Sequence, residues 1–134
     1  MKILVTGATG FIGKKVVLQL AKRKLDIVAT DLDLGENKDK LRKEYQNNNF
    51  DKKKLFFEKL DITKQNEIDS LFNKYSFDAI IHLAYGIGMI CENNPVLASK
   101  INIVGTTSIF EKLVEKKIKR LVFASSETVY GANQ

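Results

Sequence analysis

Lys2-Ile3-Leu4-Val5-Thr6-Gly7-Ala8-Thr9-Gly10-Phe11-Ile12-Gly13 opens the chain and decides its fold. A run of buried-strand type enters glycines at a G-x-x-G-x-x-G spacing. Apolar residues at helical spacing follow at Phe11, Ile12, Val16, Val17 and Leu20. Strand, glycine turn and helix in that order make the first half of a βαβ phosphate-binding unit. Gly7 permits the turn off the strand, Gly10 lets a pyrophosphate approach the backbone, and Gly13 lets the new helix pack closely. The helix start adds unpaired N–H groups and a positive dipole end. Glycines also serve purely structural turns, so a second signal is needed. Asp31 supplies it, closing the apolar run Ile27-Val28-Ala29-Thr30 where such a unit keeps its ribose-binding acid.

Outward from that stretch, strands and helices alternate. Helix one is expected over residues 10–23 or 10–24, and strand two over 25–30. Residues 35–54 read as a poorly ordered charged helix and loop, with a helical candidate over 39–45. Strand three falls at 55–58. Asp61-Ile62-Thr63 is expected to cap a helix over 65–75, whose Ile68, Leu71 and Phe72 share one face. Strand four, 79–84, is nearly all apolar, as a parallel strand covered on both faces should be. A long helix starts near Pro95 and ends around Lys117, carrying Val96, Ile101, Val104, Ile109, Leu113 and Val114; strand five is 121–124. The alternation predicts an α/β, doubly wound parallel sheet of Rossmann type with strand order 3-2-1-4-5. Its strand ends would gather the glycines, Asp31, Asp61 and residues 84–88 and 125–131 along one crevice.

Bulk properties narrow the partners. The 134 residues suffice for one domain, and no apolar run is long enough to span a membrane. The start lacks the apolar core of a signal peptide, and a single cysteine, Cys91, agrees with a reducing, cytoplasmic setting. Cys91 reads as a small buried or half-buried side chain. The net charge of +6 invites a nucleic-acid partner. Much of the excess, however, lies in 38–54 and 111–120, interleaved with acids and without the aromatics a stacking platform needs. Neither nucleic acid nor membrane is therefore expected as a partner. His82, inside an apolar strand, reads as a packed core histidine.

With these residues in place, the chain resembles the extended short-chain dehydrogenase/reductases, the NAD-dependent sugar epimerase/dehydratase family. The matching pieces keep the family's order. They are the glycine stretch from Thr6, Asp31, Leu60-Asp61-Ile62, Ile81-His82-Leu83-Ala84, Asn102-Ile103-Val104-Gly105-Thr106, and Ser125-Ser126-Glu127-Thr128-Val129-Tyr130-Gly131. The resemblance implies NAD as cofactor, with its pyrophosphate on Gly7, Thr9, Gly10, Phe11, Ile12 and Gly13. It puts the adenosine ribose on Asp31 and the adenine beside Asp61 and Ile62. Leu83, Ala84 and Tyr85 would line the way to the nicotinamide, Tyr85 standing where many members have alanine. Asn102 would sit on the cofactor side of the long helix. Ser126 matches the catalytic Ser/Thr, and Tyr130 belongs to the V-Y-G turn rather than to catalysis. The pattern at Glu127 and Thr128 departs from the acid pair of the dehydratases.

The family's proton relay needs a tyrosine followed four residues later by lysine, and no tyrosine of this sequence is so followed. The expectation is therefore one incomplete dinucleotide-binding domain over 1–134, without the later strands and the substrate domain. It would be inactive and prone to self-association alone. In the whole enzyme it would serve a homodimer acting on a nucleotide sugar or related small molecule. The alternative is a non-catalytic dinucleotide-sensing regulator.

Overall fold

The computed structural model describes residues 1–126 and Gly131. Its five strands are β1 (Lys2–Thr6), β2 (Asp26–Asp31), β3 (Leu55–Lys59), β4 (Ala79–His82) and β5 (Leu121–Phe123). All four pairings are parallel, in the order β3-β2-β1-β4-β5 that the alternation predicts. Helices α1 (Phe11–Lys22), α2 (Gly35–Asn47), α3 (Gln65–Lys74), α4 (Met89–Asn93), α5 (Pro95–Ser99) and α6 (Thr106–Glu115) connect them.

The strands are apolar throughout because each has two faces to bury. Ile3, Val5, Ile27 and Ala29 point to one side and meet Val17, Leu18 and Ala21 of α1 and Leu41 and Tyr45 of α2. Leu4, Val28 and Ile80 point to the other and meet Ile68, Leu71 and Phe72 of α3 and Ile109 of α6. That is the period-two alternation of a doubly wound sheet, with helices on both faces.

Three expectations need correction. Residues 35–54 are not a loose charged surface. Helix α2 begins at Gly35, and Leu41 and Tyr45, four residues apart, are buried in the core. Tyr45 further packs edge-on against Phe50 at 5.2 Å and donates its hydroxyl to the Asp51 carbonyl. Secondly, Asp61 does not cap α3. The N-cap position is Lys64, while Asp61 Oδ1 accepts from the Thr63 N–H and hydroxyl, and Glu67 reaches back to the Asp61 N–H.

Thirdly, the helix from Pro95 is not uniform. It widens into a π turn over Lys100–Gly105 before α6 resumes. Along it Val96, Val104 and Val114 are exposed, whereas Ile109 is buried and Ile101 and Leu113 are partly so. The short α4 had no clear sequence signal.

Away from the crevice, the turns that end α1, α2 and α6 each place a non-glycine residue in the left-handed region: Lys24 (φ 58°), Asn49 (φ 56°) and Lys117 (φ 54°). Among the described residues no helix is long and apolar enough to cross a membrane.

Candidate functional site

The site begins where β1 ends. Gly7 adopts φ +65°, and a Cβ there would lie 2.7 Å from the Leu83 carbonyl oxygen, so the turn and the end of β4 approach as closely as backbones can. A Cβ on Gly13 would lie 2.1 Å from the Gly7 oxygen. Gly13 thus fits α1 onto its own loop, rather than onto the sheet. The N-cap of α1 is Gly10, with no side-chain cap and no acid in the first turn. The positive end of α1 is left to an outside anion, as a phosphate cradle requires.

Asp31, at the end of β2, is held from both oxygens. Its Oδ2 accepts from the Thr9 N–H at 3.0 Å and the Thr9 hydroxyl at 2.8 Å, and its Oδ1 from the Leu32 N–H at 2.9 Å. Thr9 is buried and acts behind the cavity wall, as the clamp that orients the carboxylate. Asp61 lines the same space. Burial works against its charge, but hydrogen bonds from the Thr63 hydroxyl and N–H, with Lys64 nearby, outweigh it and hold the carboxyl below its ordinary value.

Two adjoining cavities run along the strand ends. One of about 350 Å³ is lined by Gly7, Gly10, Asp31, Asp61, Ile62, Ala84 and their neighbours. The other, about 590 Å³, is lined by Phe11, Ile12, Gly13, Ile87, Phe123 and the polar pair Ser125 and Ser126. Gly7, Gly10, Leu83 and Tyr85 line both, so the cavities form one crevice across the glycine loop. Tyr130, Glu127 and Thr128 lie outside the described residues. Asn102 lines neither cavity; its carboxamide instead binds the backbone of Gly86.

Beneath the crevice lies a buried polar chain that sequence reasoning did not find. Thr6 Oγ1 accepts from the N–H groups of Leu83 (3.1 Å) and Ala84 (3.2 Å) and lies 2.7 Å from His82 Nδ1. With both acceptor positions engaged, its hydroxyl proton goes to Nδ1, leaving the imidazole proton on Nε2, 3.1 Å from Thr106 Oγ1. His82 is fully buried, stacks on Phe123 and meets Phe110 edge-on, and burial pulls its pKa from 6.5 to about 4. It is a neutral structural histidine. The available signal was Thr6 itself, a hydroxyl ending an otherwise apolar strand.

Comparison with known proteins agrees with this geometry. Residues 3–134 match the family model described as the NAD dependent epimerase/dehydratase family. A UDP-glucose 4-epimerase of Pisum sativum is 35% identical over 135 residues; the match covers 97% of this chain but 38% of that relative. The crystal structure of Thermus thermophilus UDP-glucose 4-epimerase in complex with NAD superposes with a TM-score of 0.77 at 25% identity, covering 94% of this chain and 38% of that one. The UDP-glucose 4-epimerase of Thermotoga maritima, solved with UDP-glucose, gives 0.82 at 26% identity and covers 100% and 41%.

Proposed function

The chain belongs to the NAD dependent epimerase/dehydratase family, and from that premise we propose that it is the cofactor-holding part of an NAD-dependent epimerase acting on a nucleotide sugar. The observation that carries the reading is the conjunction at one crevice of an uncapped helix start, a glycine turn closed to any side chain, and an oriented carboxylate at the next strand end. A dinucleotide has the matching parts: a pyrophosphate for the helix start and ribose hydroxyls for Asp31.

Each residue has a share in this reading. Gly7, Gly10, Phe11, Ile12 and Gly13 form the pyrophosphate cradle, and Thr9 fixes Asp31. Asp61 and Ile62 border the adenine. Leu83, Ala84 and Tyr85 lead to the second cavity, where Ser126 orients the sugar oxygen. When bound, the nicotinamide supplies the hydride exchange; the chain's residues bind, orient and exclude water. The whole protein works as a homodimer, with the exposed apolar residues Val96, Ile103 and Val104 as the contact face. A sensing module would need the cradle but not the serines at the second cavity, so the epimerase reading is preferred.

The experiment concerns cofactor choice. The described residues lining the first cavity include the carboxylates of Asp31 and Asp61 and no lysine or arginine. A 2′-phosphate would meet like charge there. NADH is expected to bind more tightly than NADPH by at least about tenfold, about 1.4 kcal/mol. Calorimetric titration of both checks it, and equal or tighter NADPH binding would overturn the assignment of Asp31.

A further inference from the structure

β3 ends the sheet, with β2 on one side and no strand on the other among the described residues. The Leu60 N–H donates to the Asp31 carbonyl, and Asp31 stands opposite Lys59, so the even-numbered residues of this stretch face β2. Leu55, Phe57 and Lys59 therefore turn their N–H and C=O groups to the open side, where no described residue bonds them. The side chains of Leu55 and Phe57 lie on the α2 face. There they floor a cavity of about 310 Å³ walled by Arg42, Tyr45, Gln46 and Lys52, with no carboxylate among its lining residues. The Arg42 guanidinium lies over the Phe57 ring, 5.3 Å from its centroid, and neither it nor Lys52 has an ion-pair partner among the described residues. Glu58, the acid of the strand, is on the opposite face, bound by Lys74 and Tyr75. This cavity shares no lining residue with the crevice.

We propose that the open edge of β3 takes up an extended acidic segment of another protein, which adds a strand there and sets a carboxylate between Arg42 and Lys52. Unpaired strand groups are matched by another extended backbone, whose side chains fall alternately on the α2 face and away from it. Every second side chain of the added strand would hang over the cavity. A guanidinium already held on a ring loses less freedom on meeting a carboxylate, and Lys52 adds a second charge. Charge selects the occupant. In a twofold pairing of two copies the edges run antiparallel, which brings Lys52 and Lys53 of one chain toward Lys59 of the other. The same lysines attract an acidic segment. A single-stranded nucleic acid would need a bare aromatic face to stack on, and Phe57 is covered by Arg42. Part of the +6 net charge thus gains a use that the crevice does not give it.

The test uses the full chain and a fluorescent peptide of alternating valine and glutamate, about eight residues long, with its valine–lysine counterpart as control. Polarisation is expected to show saturable binding of the glutamate peptide that weakens as salt rises, and no binding of the lysine peptide. Lys52→Glu and Arg42→Glu should each raise the Kd about tenfold. Lys119→Glu, the same charge change at another exposed position, should raise it by less than about twofold. Hydrogen exchange at the Leu55 and Phe57 amides should slow by about tenfold or more at saturating peptide. Absence of binding, equal losses in Lys52→Glu and Lys119→Glu, or unchanged exchange at those two amides would each overturn the proposal. Tighter binding of an oligothymidylate than of the peptide would overturn it in favour of nucleic acid. Slowed exchange at those amides in the concentrated chain alone would overturn it in favour of a second copy. If Arg42→Glu misfolds for want of its ring contact, Lys52→Glu and the exchange measurement still decide.

Discussion

Gly13→Ala is expected to lower the thermal midpoint by roughly 5–15 °C, the equivalent of about 1–3 kcal/mol of overpacking in a domain of this size. The new Cβ would stand 2.1 Å from the Gly7 oxygen and 2.7 Å from the Ala8 Cα. Both are backbone atoms of the loop that α1 closes, so no flexible side chain can swing aside. Either α1 lifts away or the loop moves. Moving the loop disturbs Gly7, whose position is fixed by φ +65° and by the backbone of Leu83 and Ala84. Dinucleotide binding should therefore fall with stability. A thermal scan and an NADH titration check both effects. An alanine variant that melts with the parent and binds NADH equally would show that the loop yields freely.

Acid should weaken the fold well before the carboxylates titrate. His82 takes up its proton near 6.5 in the unfolded chain but only at about 4 in the folded one, and this difference is worth about 3 kcal/mol. Within that window the unfolded state binds more protons, so stability rises with pH. The contribution is complete above 6.5 and is lost as pH falls toward 4. The groups facing the ring are the hydroxyls of Thr6 and Thr106 and the rings of Phe110 and Phe123; none of them is a carboxylate that would stabilise the cation. Glu58 and Asp61, held below their ordinary values of 4.5 and 3.8, withdraw their share only at lower pH. Urea unfolding across the window should show a slope that flattens in His82→Gln. Identical profiles for parent and variant would refute the assignment, and imidazole ¹⁵N shifts report the Nε2–H tautomer directly.

The parts of this molecule legible in its sequence are those where one physical demand fixes the residue. A strand with two buried faces has to be apolar throughout, which exposes β1, β2 and β4. A turn without room for a side chain has to be glycine, which exposes Gly7 and Gly13. Asp31 was legible because it ends a strand beside that turn. What was illegible depends on partners distant in the chain. Nothing around Asn102 indicates that its carboxamide will meet Gly86, 16 residues earlier. Helical periodicity assumes a constant turn, so a single long helix is read from Pro95 onward and the π segment Lys100–Gly105 leaves no mark in the pattern. Helix α2 was underestimated because its charges dominate the composition. Its burial rests on Leu41 and Tyr45 alone, an i,i+4 pair that marked one face.

The left-handed residues Lys24, Asn49 and Lys117 close helices at the opposite end of the sheet from the crevice. A side chain in that backbone region is under mild strain that glycine would relieve, so the rear of the fold holds unused thermal headroom. Because that headroom lies far from Asp31 and Tyr85, substitutions there could offset losses from redesigning the crevice without touching it. The molecule keeps its tolerance for change and its chemistry at opposite poles, an arrangement suited to altering ligand preference stepwise on a constant frame.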